Sequence, residues 1–353
     1  MNSIATMEGV ASQMIQTSRL NMHVLTSGPA GGTPVVFLHG NFTAATFWEE
    51  TMLALPGGLR AVAFDMRGYG WTEDKIIDAT RGMRDWSDDL DALLVTMGIE
   101  QAHLVGWSLG GGVLYRFLID HPEKALTATL VGPVSPYGFG GTKDVAGTPC
   151  YADFAGSGGG VVNPEFVKRI KANDRSEQDP NSPRNVINAF YYHPPFRAAR
   201  EEDLLTAALR EKMGDDRYPG DSVPSPNWPG MAPGKYGPIN AGSPKYVIEE
   251  VPDFIATDPK PPILWVRGND DQIVSDNSMF DFGALGKMGL VPGWPGDEVY
   301  PPQPMIGQTR DVLAKYAANG GNFEEHAIED SGHGPQIDQA DRFNEVLHGF
   351  LGN

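Results

Sequence analysis

The chain has 353 residues and 41% hydrophobic content, which is enough for a substantial core in one large domain or one domain with an insertion. Its net charge of −18 argues against nucleic acids and anionic membranes as partners, because both would repel it. No stretch approaches the roughly 20 apolar residues of a membrane span, and residues 1–8 lack the basic start and apolar run of a secretory signal. The single cysteine, Cys150, permits no intrachain disulfide, which suits a cytoplasmic protein, and we interpret it as structural.

Apolar strands alternate with helices over the first part of the chain. A hairpin is predicted over residues 14–26, and the apolar runs that follow predict buried strands at 34–38, 59–64, 102–105 and 125–131. The spacing of apolar residues predicts helices at 47–55, at 84–97 and directly after residue 108. This alternation predicts a parallel sheet with helices on both faces.

Residues 133–261 differ in composition from the preceding part of the chain. They are rich in Gly and Pro, and a capping residue precedes a proline at three predicted helix starts, Asn163-Pro164, Ser182-Pro183 and Ser243-Pro244. A fourth helix is predicted over residues 200–213. We interpret this region as a helical cap over the sheet, and we assign residues 1–132 and 262–353 to the core.

The sheet is predicted to resume after the cap, with strands at 262–267 and 322–328 and a final helix at 339–351. Between these strands lies a long Gly/Pro-rich loop insertion at about 275–309, and loops of that length are usually functional or mobile. Its many apolar side chains predict one wall of an enclosed apolar cleft. The alternative is that they pack against the cap or against a second subunit.

A serine at a sharp turn is the strongest chemical signal in the chain. Ser108 lies in Gly106-Trp107-Ser108-Leu109-Gly110, after an apolar strand and before a helical pattern. A strand, a tight turn at a serine and a helix are the context of a nucleophile elbow, in which flanking glycines remove the Cβ atoms that would clash. Ser108 is therefore the predicted nucleophile.

A serine hydroxyl needs a base that takes its proton and an acid that orients the base. His333 is the predicted base, because it lies in a Gly-flanked loop directly after the last strand. Two adjacent carboxylates, Asp270 and Asp271, follow the preceding strand, and the spacing from its terminal glycine favours Asp271 over Asp270. The order Ser108, Asp271, His333 is the one expected when a nucleophile elbow carries the serine.

Acyl transfer also requires hydrogen-bond donors for the oxyanion. The Leu109 N–H at the start of the helix is one predicted donor. The second is predicted in the loop His39-Gly40-Asn41-Phe42, with the Asn41 N–H as first choice and the Phe42 N–H as second. His39 can in addition hold this turn as a buried histidine, and that role is compatible with the functional one.

Five segments together resemble the α/β-hydrolase superfamily, in particular its capped serine hydrolases of the esterase and lactonase type. They are residues 39–42, 65–72, 106–111, 268–274 and 331–335. The resemblance implies a mostly parallel eight-stranded sheet flanked by helices, with a helical cap insertion. It also implies that Asp65 and Arg67 support the fold and take no part in catalysis.

The predicted activity is hydrolysis of a carboxylic ester or lactone through an acyl-enzyme on Ser108, with a small apolar or aromatic molecule as the partner and with no cofactor and no metal. Phe42, Trp107 and Trp294 are the predicted substrate contacts. Relatives with the same three residues cleave amides or C–C bonds or act as slow-turnover receptors, so these stay as alternatives. The serine at position 108 argues against epoxide and haloalkane hydrolysis, which use a carboxylate nucleophile in this superfamily.

Overall fold

The computed structural model describes residues 5–352, so half of the segment 1–8, which lacks the features of a secretory signal, lies outside the described residues. One sheet of eight strands forms the centre: β1 (Ala11–Gln16), β2 (Asn21–Ser27), β3 (Thr33–Leu38), β4 (Leu59–Phe64), β5 (Ala102–Trp107), β6 (Ala125–Val131), β7 (Ile263–Gly268) and β8 (Phe323–Ile328). Their order across the sheet is β1-β2-β4-β3-β5-β6-β7-β8. The β1–β2 and β2–β4 pairs are antiparallel and the others are parallel, which confirms the predicted mixed, mostly parallel sheet.

Helices cover both faces of this sheet. Outside residues 133–261 the α-helices span Glu49–Ala54, Arg84–Met97, Leu109–Asp120, Phe282–Lys287, Met305–Ala318, Pro335–Asp338 and Ala340–Leu351. Val251–Ala256, at the end of that segment, also packs on the core helices Leu109–Asp120 and Met305–Ala318. Successive residues of β3 enter opposite cores, with Val36 and Leu38 on one face and Val35 and Phe37 on the other. This follows from the period of two along a strand, and it explains why the four buried positions of the strand, 35–38, are all apolar.

Residues 133–261 contain short helices and two small strand pairs. The helices span Pro164–Lys171, Pro183–Val186, Glu201–Ala208, Pro238–Ala241 and Pro244–Val247, with a π-helix at Ile187–Tyr191. The strand pairs are Met213–Gly214 with Tyr218–Pro219, and Ser222–Pro224 with Met231–Pro233. Each of the three predicted Xaa-Pro helix starts begins a helix, and in each the capping side chain accepts a backbone N–H. The helix predicted over 200–213 ends earlier, at Ala208.

The stretch predicted as a long loop at 275–309 is partly helical, which corrects that prediction. It contains the helix Phe282–Lys287 and the first turn of the helix Met305–Ala318. The prolines that lead into the second helix concealed its start in the sequence. Among residues 5–352, no helix is long and apolar enough to cross a membrane.

Asp281 begins the first of these two helices from a buried position. Its Oδ2 accepts the N–H of Ala284 at 3.2 Å and that of Gln303 at 3.0 Å, whereas its Oδ1 is buried without a partner among the described residues. Burial raises the pKa of this carboxyl from 3.8 to about 6. The charged form therefore costs free energy in the folded state.

We expect Asp281→Asn to change how stability depends on pH. Because the pKa is raised on folding, the stabilising effect of the neutral carboxyl is complete below pH 3.8 and is lost as the pH rises through about 6. The variant cannot ionise, so relative to wild type its free energy of unfolding should gain up to about 3 kcal/mol between pH 4 and 7. Urea unfolding across this range measures the difference, and parallel pH profiles for the two proteins would contradict the prediction.

Candidate active site

Ser108 occupies a strained turn between β5 and the helix Leu109–Asp120. Its backbone has φ +55° and ψ −114°, a conformation that non-glycine residues rarely adopt. A Cβ at Gly106 would lie 2.5 Å from the Gly110 carbonyl oxygen, and one at Gly110 would lie 2.6 Å from the Leu38 carbonyl oxygen. Both glycines are therefore required by sterics, and the turn has the geometry predicted for a nucleophile elbow.

His333 and Asp271 form a buried hydrogen-bonded pair. The His333 Nδ1 lies 2.8 Å from the Asp271 Oδ2, and the side chains are almost completely buried. The other carboxylate oxygen, Asp271 Oδ1, accepts the backbone N–H groups of Ile273 at 2.8 Å and Val274 at 2.9 Å. If His333 donates its Nδ1–H to this carboxylate, its Nε2 is left as a proton acceptor.

Asp270 points elsewhere. Its side chain is half exposed, and its Oδ2 lies 3.1 Å from the Nδ1 of His193. Of the two adjacent carboxylates, Asp271 contacts His333, as the sequence spacing favoured.

Three strand ends bring the predicted residues to one edge of the sheet. Ser108 follows β5, Asp271 follows β7 and His333 follows β8. The Trp107 indole N–H donates to the His333 carbonyl at 2.7 Å and so ties the serine turn to the histidine loop. The Ser108 Oγ makes no hydrogen bond to any described residue, and such contacts often tighten only when substrate is bound.

Both predicted oxyanion donors line the same cavity as Ser108. Neither the Asn41 N–H nor the Leu109 N–H has an acceptor among the residues that the structure describes. The Gly40 carbonyl accepts the Nδ1–H of His39 at 2.8 Å and the hydroxyl of Thr43 at 2.7 Å. Because N–H and C=O point in opposite directions across a trans peptide, these two bonds also fix the direction of the Asn41 N–H.

His39 performs this task as a neutral side chain. It is fully buried, and its Nε2 accepts the backbone N–H of Met66 at 3.0 Å, which leaves the proton on Nδ1. Burial lowers its pKa to about 4, although the nearby Asp65 and the bond to the Gly40 carbonyl oppose that shift. The structure thus confirms that His39 holds the turn.

A cavity of about 1040 Å³ opens beside Ser108. Apolar and aromatic side chains form most of its wall, including Val134, Phe139, Val161, Phe166, Val186, Phe190, Phe196, Ile239, Ile273 and Val274. Amide and charged side chains also contribute to the wall: Asn163, Glu177, Gln178, Asn181, Asn185, Asn188 and Arg197. Most of these residues belong to segment 133–261. The sequence predicts where helices of this segment begin but not which of their side chains face the cavity.

The structure corrects the three predicted substrate contacts, none of which lines this cavity. Phe42 is fully buried against Phe166, with ring centroids 5.1 Å apart. Trp107 is fully buried behind Ser108, and Trp294 donates its indole N–H to the Tyr300 carbonyl at 2.8 Å. Each of these three rings contacts other parts of the protein and does not face the cavity.

The stretch 275–309 contributes to the wall through fewer residues than predicted. Met279, Phe280 and Leu285 line the cavity, and the Phe280 ring meets that of Phe190 edge-on at 5.1 Å. Phe282 packs instead against Trp228, outside the cavity, at 5.9 Å. Met279, Phe280 and Leu285 therefore fit the prediction of a cleft wall, and Phe282 fits the alternative of packing against segment 133–261.

The residues expected to support the fold do so. Asp65 is fully buried and accepts hydrogen bonds from the Ala45 and Trp71 N–H groups and from the His23 ring. Arg67 forms a bidentate pair with Asp89, with both N–O distances 2.8 Å.

Cys150 also fits the structural role assigned to it. It is half-buried, it does not line the cavity, and burial raises the pKa of its thiol to about 12. A thiol with so high a pKa is a poor nucleophile.

Comparison with known proteins agrees with the fold described above. Residues 33–154 match the family described as the alpha/beta hydrolase fold. The chain is 28% identical over 207 residues to the carboxylesterase nap of Bacillus subtilis (strain 168), covering 55% of this chain and 68% of that protein. It is 36% identical over 117 residues to a 2-hydroxymuconate semialdehyde hydrolase of Pseudomonas sp. (strain CF600), covering 32% of this chain and only 40% of that relative.

Solved structures resemble the whole chain. Naproxen esterase from Bacillus subtilis superposes with a TM-score of 0.58 at 17% identity, covering 97% of this chain and 91% of its own. A 2-hydroxy-6-oxo-6-phenylhexa-2,4-dienoate hydrolase from Rhodococcus sp. strain RHA1 gives a TM-score of 0.59 at 16% identity, covering 98% and 99%. The sheet order, the serine turn and these similarities define the class: the chain has the α/β-hydrolase fold, and its residues 33–154 match the family of that description.

Proposed function

We propose that this protein is a serine hydrolase that cleaves carboxylic esters, lactones included, through an acyl-enzyme on Ser108. The observation that carries the proposal is the buried His333–Asp271 pair, 2.8 Å apart, at the same sheet edge as the strained Ser108 turn. The similarity to the carboxylesterase nap supports the reaction class. Residues 133–261 act in this proposal as the cap that encloses the substrate above the core.

The reaction uses only groups that the chain supplies. The Ser108 hydroxyl attacks the ester carbonyl carbon while His333 Nε2 takes its proton, and the imidazolium that forms is stabilised by Asp271. The carbonyl oxygen becomes an oxyanion that accepts the N–H groups of Asn41 and Leu109, the latter at a positive helix N-terminus. His333 returns the proton to the leaving alkoxide and then activates the water that hydrolyses the acyl-enzyme.

The cavity favours a bulky apolar or aromatic ester. An apolar wall stabilises an apolar group by removing it from water, at about 25 cal/mol per Å² of apolar surface. The rings of Phe139, Phe166, Phe190 and Phe280 supply such surface beside Ser108.

Hydrolysis of a C–C bond in a dienoate ranks second, on the similarity to the muconate and dienoate hydrolases. Such substrates carry a carboxylate. Among the described residues that line the cavity, Arg197 is the one basic side chain, and it is half exposed and paired with Glu201. A neutral ester therefore matches this wall better than an anionic dienoate does.

Covalent labelling tests the proposal. An organophosphate should form one adduct, on Ser108, which mass spectrometry of proteolytic peptides locates. A panel of short aryl esters, bulky aromatic esters, lactones and a phenyl dienoate then ranks the substrates by kcat/KM. Labelling at another residue refutes the assignment of Ser108, turnover of the dienoate alone favours the second candidate, and a single turnover indicates a receptor.

We expect Phe280→Ala to lower kcat/KM for aromatic esters by about tenfold, because part of a ring contact worth roughly 1.5 kcal/mol is lost. Short esters carry little apolar surface to place against this ring, so their kcat/KM should change less. Phe282→Ala is the matched control, because Phe282 lies on the same segment but packs against Trp228. Measuring kcat/KM for esters of graded size checks this prediction. An unchanged substrate ranking in Phe280→Ala would show that Phe280 does not determine specificity.

A further inference from the structure

Tyr191, a residue of segment 133–261, contacts Asn41, His333 and Trp107, the residue next to Ser108. It ends the π-helix Ile187–Tyr191, a type of helix that is frequent at functional sites, and its side chain is buried. Its hydroxyl donates to the Asn41 carbonyl at 2.9 Å. Its own carbonyl accepts the Gly334 N–H at 2.8 Å, directly after His333.

The ring of Tyr191 also packs between the serine turn and the histidine. It meets the Trp107 ring at 5.9 Å and 86°, and the His333 ring at 5.9 Å and 76°. Trp107 in turn donates to the His333 carbonyl. Tyr191 and Trp107 thus pack against the imidazole and also bond to the backbone of its loop, which restricts both the ring and the loop that carries it.

The contact with Asn41 bears on the proposed oxyanion donor. Asn41 lies between two peptide planes, and the core fixes the first by bonds from His39 and Thr43 to the Gly40 carbonyl. The second plane contains the Asn41 carbonyl, which Tyr191 holds from segment 133–261. The bonds to the Gly40 carbonyl set the direction of the Asn41 N–H, and the Tyr191 bond holds the peptide on the other side of the Asn41 Cα. The residue that carries the proposed donor is therefore restrained from both sides before substrate binds, as preorganised oxyanion stabilisation requires.

We propose that Tyr191 is a positioning residue for hydrolysis, through which docking of the cap restrains Asn41 and the His333 loop in their reactive positions. This inference rests on the proposed function of Ser108, His333 and Asn41. It predicts that the Tyr191 hydroxyl matters for the transition state and hardly for binding the ground-state ester, because the oxyanion exists only after attack.

The adjacent Tyr192 provides a matched control. It is also fully buried, and its ring packs against Phe196 at 5.3 Å. Its hydroxyl has no hydrogen-bond partner among residues 5–352, and, unlike Tyr191, Tyr192 does not line the cavity. Removing this hydroxyl takes away a buried polar group without breaking a bond, so the change should be neutral or stabilising.

The test compares Tyr191→Phe with Tyr192→Phe. Tyr191→Phe should lower kcat per titrated active site by about tenfold with KM little changed, which is the size expected for one lost hydrogen bond. Its affinity for a boronic acid, whose tetrahedral adduct imitates the oxyanion, should fall by the same factor, while affinity for the alcohol product stays unchanged. Tyr192→Phe should match wild type in all of these measurements.

The outcomes separate this inference from the proposed function. Both variants should fold, because the loss of one hydroxyl is small against the stability of a domain of this size. If Tyr191→Phe loses thermal stability but keeps kcat and boronic acid affinity, Tyr191 is structural and the inference is overturned. Wild-type labelling at Ser108 stands independently of that result, whereas failure of the labelling would overturn the proposed function itself.

Discussion

Ser108→Ala is expected to lower kcat for ester hydrolysis by about 10⁶-fold, because no other group in the proposed site can form the acyl-enzyme. The fold should be unaffected, since the Ser108 hydroxyl bonds to no described residue and the strained turn depends on backbone bonds and on the flanking glycines. Steady-state kinetics and thermal unfolding of the same preparation measure the two effects.

The organophosphate adduct should disappear from this variant as well. Wild type supplies the positive control for labelling, and Cys150→Ala supplies a second one, because a half-buried thiol of raised pKa should not react. Turnover retained in Ser108→Ala at more than a trace would show that another residue is the nucleophile.

Asp271→Asn is expected to lower kcat by about 10⁴-fold, because it should place the His333 proton on the wrong ring nitrogen. The Asp271 Oδ1 accepts the N–H groups of Ile273 and Val274, so an asparagine oxygen should stay at that position. Its amide nitrogen then faces His333 Nδ1 and donates to it. The imidazole proton moves to Nε2, where it blocks acceptance of the serine proton.

Asp270→Asn is the matched control for this prediction. The two residues are neighbours in the chain, but Asp270 is half exposed and directed at His193. Its replacement should leave kcat little changed. A larger loss of kcat in Asp270→Asn than in Asp271→Asn would mean that the acid of the proposed site is Asp270.

The parts of the site set by local sterics were predictable from the sequence. A Cβ at Gly106 or Gly110 would overlap a backbone carbonyl oxygen, so both positions require glycine. This requirement is visible in the sequence as the two glycines that flank Ser108. The helix Arg84–Met97 has its predicted bounds, because its apolar spacing and the left-handed Gly98 at its end are both local signals. The choice of Asp271 over Asp270 likewise followed from its distance to the glycine that ends a strand.

The substrate contacts were not predictable, and Trp107 shows why. Trp107 is next to Ser108 in the chain, but successive residues at the end of a strand point to opposite sides, so its ring lies behind the serine. Phe42 packs against Phe166, and the Trp294 indole bonds to the Tyr300 carbonyl, so neither ring faces the cavity. Nearness along the chain does not determine which face a side chain presents.

The sequence determined the sheet, the serine turn and the histidine loop, because each depends on a short pattern of glycines and apolar residues. Only the tertiary structure decided which residues of segment 133–261 face the cavity and which of two adjacent tyrosines bonds to the Asn41 carbonyl. Tyr191 and Tyr192 are adjacent residues of the same type, so the sequence does not distinguish them. At the end of the π-helix the Tyr191 hydroxyl bonds to the Asn41 carbonyl, whereas the Tyr192 hydroxyl has no partner among the described residues. That distinction depends on packing between segments about 150 residues apart, which a local pattern does not encode.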